Sequence, residues 1–288
     1  MLRHHHFLSG AYYGLRAARV IGRSLGVAPQ NSLRVLLYHD IAPEERERFA
    51  AQLHWLSRSW RFVPADLFAA MIAGDEPIRG RNLLLSFDDG FASNRLVAEQ
   101  VLNPLGIRAL FFVVSDFISL VDPEDARHFI VRHIQPGRSI EELPAHLQNM
   151  TWTDLEVLVE QGHCIGGHTR THARLSAIHS QVDLEKEIVS SADVLAKRLQ
   201  LPIEHFAYTF GSLEDFSPLA LAIARRRFRF VYSGLRGDNT TSISPFALRR
   251  DAITPQDSRA VLGGYLEGAA DFRYARSRAR LDSWTEHA

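Results

Sequence analysis

The chain has 288 residues, 46% of them hydrophobic and 23% charged, and its 33 basic residues balance 33 acidic ones. That length buries one large core, so one α/β barrel or two smaller domains both fit, and the zero net charge gives no electrostatic argument for nucleic acid. The single cysteine, Cys164, excludes an intrachain disulfide and suits a reducing compartment, and no run approaches the ~18 apolar residues of a membrane-spanning helix.

No acidic residue precedes Asp40, whereas Arg3, Arg16, Arg19, Arg23 and Arg34 all do. Residues 7–25 set Leu8, Tyr12, Leu15, Ala18 and Leu25 on one helical stripe, with Arg16, Arg19 and Arg23 towards another side. This reads as a basic amphipathic helix that either packs on the body of the protein or lies on an anionic membrane surface. Gly, Arg and Tyr stand where a signal peptide has its apolar stretch. The expected location is therefore cytoplasmic, with peripheral contact to the inner membrane through residues 7–25.

From Leu33 the strand and helix signals alternate. Residues 33–38 read as a buried strand ending at His39-Asp40; a helix over about 44–59 follows, and Pro64 opens another through Ala73. Leu83-Leu84-Leu85-Ser86-Phe87 is apolar on both faces apart from Ser86, as suits a parallel strand covered on both sides, and it feeds into Asp88-Asp89-Gly90. Consecutive strand side chains point to opposite faces, so the two carboxylates share a site only if the strand stops there, and Gly90 permits the turn.

Residues 91–103 read as helix and 107–114 as a second two-sided strand. Residues 116–150, with Pro123, Pro136, Gly137 and Pro144, are too long for an ordinary connection and read as a partly ordered excursion near the functional face. Thr153-Asp154-Leu155-Glu156 has the spacing of a capping box, with Gly162 placed to end its helix. A short strand at 163–166 then leads to His168 and His172. Leu184, Ile188, Ala192, Leu195 and Leu199 recur at four, four, three and four along a long helix. Strand 205–208, a helix to about Arg226, strands at 228–233 and near 246–248, and a helix beyond Pro255 complete the pattern. Seven or eight strands alternating with helices imply a parallel sheet, most simply a single-domain barrel with functional groups at the strands' C-terminal ends.

His39, Asp88, Asp89, His168, His172 and Arg250 all fall at such ends. One carboxylate and two imidazoles, with coordination positions left open, suit a catalytic Zn²⁺, with Co²⁺, Ni²⁺ or Fe²⁺ as alternatives. The second carboxylate is then free to act as base.

Phe87-Asp88-Asp89-Gly90, His168-Thr169-x-x-His172 and Phe206-Ala207-Tyr208-Thr209-Phe210-Gly211 occur in the order of three motifs of the polysaccharide deacetylases. The chain resembles this NodB-homology family, carbohydrate esterase family four, from about Leu33 to Ile253. The resemblance implies a distorted (β/α) barrel, Asp88 as general base, and Asp89, His168 and His172 as metal ligands. It implies hydrolysis of the amide of an N-acetylated sugar, N-acetylglucosamine above all, in a bacterial surface or lipid-linked glycan.

Where the family's third motif reads Pro-Tyr this chain has Thr209-Phe210, so the implied oxyanion donor is the Phe210 N–H, with Tyr208 of the same motif on the substrate side. The family's Leu-x-His acid is missing, because the only histidine after His205 is His287. A circularly permuted branch, the biofilm poly-N-acetylglucosamine deacetylases, takes its acid from an N-terminal Tyr-His motif, which Leu37-Tyr38-His39-Asp40 resembles. His39 is the implied acid, and an imidazolium is well matched to giving up a proton near neutral pH. Arg250, after Phe246-Ala247-Leu248, resembles the arginine that pairs with the base. On this reading residues 33–275 form the catalytic barrel, 1–32 the basic helix and lead-in, and 276–288 a C-terminal tail. Two other readings stay open: a barrel that keeps the metal site but only binds glycan, and an amidase acting on a non-sugar amide.

Overall fold

The computed structural model describes residues 31–286 and, ahead of them, Gly14; apart from Gly14 the basic helix expected at residues 7–25 lies outside the described residues, as does His287. The first half runs β1 (Ser32–Tyr38), α1 (Arg46–Leu56), β2 (Arg61–Phe62), α2 (Ala65–Ala73), β3 (Arg81–Phe87), α3 (Ala92–Val97), β4 (Leu110–Val113), α4 (Ser115–Ile118), α5 (Pro123–Phe129) and α6 (Trp152–Glu160). The second runs β5 (Cys164–Gly167), α7 (Gln181–Glu185), α8 (Ser191–Leu199), β6 (His205–Ala207), α9 (Pro218–Arg227), β7 (Phe230–Tyr232), β8 (Asp251–Ala252), α10 (Arg259–Leu266) and α11 (Ala275–Glu286). The strands form one sheet in the order β7-β6-β5-β4-β3-β1-β8, with β2 beside β3, and the pairings are parallel.

One segment draws the two edges of this sheet together. Leu248 bridges to Tyr232 of β7, and Asp251 pairs with Leu36 of β1, so the sheet curls into the distorted barrel. The strand expected at 246–248 is thus a single bridge, because Ser244 holds the chain in a turn through Ala247 N–H to Ser244 O and Phe246 N–H to Ser244 Oγ. Regular pairing resumes at β8.

The two-sided strands bury both faces. Leu84, Phe112, Ala207, Tyr232 and Leu248 share the inner cluster with Val35 and with Phe68 and Met71 of α2. Leu83, Leu85, Phe87 and Phe111 face the helices, against Phe49, Leu155, Ile188 and Leu221 among others. Burying a Leu or Phe side chain contributes roughly 1.5–3 kcal/mol, so β3 is held chiefly by its apolar residues. Ser86, the one polar interruption, lies on the inner face with Leu84 and Asp88, and its Oγ donates to Leu36 O at 3.0 Å.

The long helix predicted from Leu184 to Leu199 is continuous through α7, a π-helical stretch Lys186–Ser190 and α8. The wider π turn keeps Leu184, Ile188 and Ala192 on one face despite two successive spacings of four. The capping box sits two residues earlier than predicted. Thr151 Oγ1 accepts from Asp154 N–H and Asp154 Oδ2 accepts from Thr151 N–H, because Met150 N–H, bound to Gly90 O, sets where the helix begins.

The excursion is more ordered than expected. Phe91, Phe117, Ala126, Ile130, Leu143 and Leu147 belong to a buried cluster of its own, and the Arg127 guanidinium donates to the carbonyls of Ile140, Leu143 and Pro144. Residues 276–286, expected as a tail, are helical in α11, where Leu281 is buried and Asp282 meets Arg249 at 3.2 Å.

Candidate active site

The site is built where strands end and the backbone turns left-handed. Among non-glycine residues, Asp89 (φ 76°), Thr169 (φ 63°), His172 (φ 61°) and Phe210 (φ 62°) all adopt this region. Each such residue costs roughly 1–3 kcal/mol, so their clustering is held by surrounding structure and marks a built site. At Asp89 the turn lets a second carboxylate join Asp88, which alternation along a continuing strand forbids. Gly90 follows at φ 96°, where a Cβ would stand 3.2 Å from the Ile118 side chain.

Asp89 Oδ1 faces His172 Nε2 at 3.2 Å and His168 Nε2 at 3.5 Å. His168 Nδ1 is 2.7 Å from Ala207 O, and His172 Nδ1 is 2.9 Å from His133 O. A carbonyl only accepts, so each Nδ1 carries a proton and each Nε2 is turned towards Asp89. Asp89 Oδ1 is buried and has no hydrogen-bond donor. Three acceptor atoms within 4.8 Å of one another and without a donor fit a divalent cation, and this is the one such group among the described residues.

Burial pushes the Asp89 carboxyl up, but the His168 and His172 imidazoles outweigh it and hold it well below the usual carboxylate range. Burial lowers His172, and Asp89 reverses that and raises it. Both shifts mark Asp89 as a carboxylate that draws positive charge towards it.

Asp88 lies beside this group, its Oδ2 at 3.9 Å from His168 Nε2. Arg250 holds both its oxygens, Nη1 to Oδ1 at 2.7 Å and Nη2 to Oδ2 at 2.9 Å. Arg250 Nε donates to Ser233 O at 2.9 Å and the guanidinium lies 5.0 Å from the Phe112 ring centre, so this arginine is fixed on every side.

These residues open on a cleft of about 330 Å³ lined also by His39, Asp40, Phe91, Ile134, Gln135 and Phe210. Larger hollows exist, such as one of about 650 Å³ beside Thr240 and Ser244, but they lack a convergent ligand set. His39 is exposed at the cleft wall. The ring of Phe210 is edge-on to His172 at 4.8 Å, with the Arg174 guanidinium 4.4 Å from its centre, and its N–H meets no acceptor among the described residues.

Tyr208 does not reach the cleft. Ala207 faces the inner cluster, so its neighbour Tyr208 faces the helices, where its ring stacks on Phe216 at 4.2 Å. Sequence reasoning also missed the excursion's contribution: the His133 carbonyl that orients His172, and His146, whose Nε2 lies 2.8 Å from Asp40 Oδ2. A backbone carbonyl leaves no mark in a sequence, and His146 sits in a polar tract without periodicity.

A parallel α/β barrel carrying an Asp-His-His group and a paired aspartate at its strand ends defines a hydrolase-like site. The polysaccharide deacetylase family model matches residues 75–226, more than half of the chain, and the protein belongs to that family. The match includes Asp88, Asp89, His168, His172 and Phe210 and stops short of His39 and Arg250.

The chain is 20% identical over 241 residues to the Bacillus subtilis (strain 168) protein YxkH, covering 82% of this chain and 76% of that one. Its fold is similar to IcaB from Ammonifex degensii, with TM-score 0.64 and 24% identity over 82% of this chain and 97% of that one. It is also similar to the Streptococcus pyogenes deacetylase PplD in complex with acetate, with TM-score 0.64 and 20% identity over 81% and 97%. Family membership supports deacetylase activity on glycans.

Proposed function

We propose that the protein is a metal-dependent hydrolase that removes acetyl groups from N-acetylglucosamine-type sugars of a bacterial surface or lipid-linked glycan. The observation that carries this reading is the donor-free Asp89 Oδ1 between two imidazole Nε2 atoms, with the Arg250-held Asp88 beside them. Asp89, His168 and His172 would hold the ion, Zn²⁺ in the first place. A divalent cation there supplies Lewis acidity, lowering the pKa of a water and polarising the acetyl carbonyl.

Asp88 takes a proton from the attacking water, and Arg250 keeps its carboxylate aimed at the cleft. Phe210 N–H donates to the carbonyl oxygen as negative charge develops on it. His39 gives a proton to the sugar nitrogen, since the tetrahedral intermediate otherwise expels water, the better leaving group, and returns to substrate. General acid and base each contribute ~10²–10⁴-fold.

The Arg250 clamp favours hydrolysis over a barrel that only binds glycan, because mere binding needs no oriented base. Acetate release from N-acetylglucosamine oligosaccharides, set against linear N-acetyl amides, tests the substrate class. The sugars should be hydrolysed at least tenfold faster, and equal rates would favour the non-sugar amidase.

The acid-free segment with Arg16, Arg19 and Arg23 supports peripheral contact with an anionic membrane from the cytoplasmic side. Each basic residue near such a surface is worth roughly 1 kcal/mol, so high salt should release the protein from anionic vesicles; salt-insensitive binding or none would contradict this.

A further inference from the structure

The His39 turn is gripped from the helix that follows the aspartates. Asn94, fully buried on α3, donates through Nδ2 to His39 O at 2.8 Å, and its neighbour Ser93 accepts from Ile41 N–H at 3.2 Å. On the other side Asp40 Oδ2 meets His146 Nε2 at 2.8 Å. The His39 imidazole, by contrast, makes no hydrogen bond to the described residues, so its place over the cleft depends on its backbone.

A buried asparagine is poorly explained by stability. Its Oδ1 is buried without a donor, and an unmet buried acceptor costs roughly 1–3 kcal/mol that an apolar residue avoids. What Asn94 does supply is a rigid link. α3 begins at Ala92, with only its N-cap Phe91 between it and Asp88-Asp89-Gly90, so one short segment carries the carboxylates and also holds the turn bearing His39.

We propose that Asn94 is a positioning residue that fixes His39 relative to Asp88, with the Asp40–His146 pair steadying the same turn. This rests on the reading of His39 as proton donor, and it places the donor and the base in one mechanical unit. A displacement of the donor of about 1 Å lowers the rate of proton delivery without touching the ion-binding group or the glycan contacts.

A general acid matters only for a poor leaving group, so the test compares two substrates. An N-acetylglucosamine oligosaccharide must lose a basic amine and needs the proton; p-nitrophenyl acetate loses a phenolate that departs without it. Asn94→Ala should lower kcat on the oligosaccharide by about 10- to 100-fold, leave its KM and the ester rate within about twofold, and add nothing to His39→Ala in the double variant.

Equal losses on both substrates, or losses that multiply with those of His39→Ala, would overturn the proposal. A His39→Ala enzyme with normal amide turnover rejects the donor and the proposal with it, whereas a crippled His39→Ala beside a normal Asn94→Ala rejects the positioning role alone. If Asn94→Ala does not fold, His146→Ala, whose ring is partly exposed, should give the same amide-selective loss, and a normal amide rate there overturns the proposal.

Discussion

Arg250 closes a two-pronged hydrogen bond on Asp88, although 162 positions separate the two in the chain. Barrel closure makes the pair: Leu248 joins β7, Asp251 joins β1, and Arg250 between them points inward above Ser86. Both partners are buried, so removing the guanidinium would leave the carboxylate buried without its ion-pair partner.

Arg250→Met should therefore destabilise the protein by about 3–5 kcal/mol, since it strands a buried charge. Arg250→Lys should recover part of the stability but not the rate, because a single ammonium cannot hold both oxygens. Thermal unfolding and acetate release measure the two effects separately. An Arg250→Met protein with wild-type stability would show that the clamp contributes nothing.

His39→Ala should leave fold and metal content unchanged while kcat falls by ~10²-fold or more. The imidazole is exposed, so its removal opens no core cavity. Near-normal kcat would turn attention to His146, which pairs with Asp40 of the cleft wall.

Acid should unfold the protein partly through two buried histidines away from the site. Burial, then Arg229, lowers His205 to about 3, and burial, then Arg108, lowers His163 to about 4, against an ordinary value of 6.5. The folded state keeps both neutral; His163 Nδ1 accepts from Ala109 N–H and can do so only when deprotonated. The unfolded chain binds their protons first, so stability is full above pH 6.5 and falls as pH drops towards 3 to 4. Melting temperature against pH for wild type and His205→Gln measures this, and an unchanged slope in the variant would refute the contribution of His205.

Much of this architecture is legible because burial writes itself into periodicity. The two-sided runs at Leu83–Phe87 and Ile107–Val114 could only be covered strands, and the glycine after Asp88-Asp89 marked the turn. Tyr208 was misplaced because a motif names neighbours without saying which face each takes; alternation from Ala207 would have assigned it outward. The strand near 246–248 failed because three apolar residues cannot be told from a turn that makes one bridge. The order of the excursion was hidden, since Phe117, Ile130 and Leu147 pack together only after the chain folds back through Arg127. Asn94 gave no signal, because its role lies in a carbonyl 55 positions away.

The central claim is that Asp89, His168 and His172 hold a divalent ion on which hydrolysis depends. The most direct measurement is acetate release from an N-acetylglucosamine oligosaccharide by chelated protein during titration with Zn²⁺, alongside metal analysis of Asp88→Asn and His172→Ala. Activity should vanish on chelation and return at one equivalent, Asp88→Asn should bind the ion without turnover, and His172→Ala should not retain it. Full activity in the metal-free protein would contradict the claim.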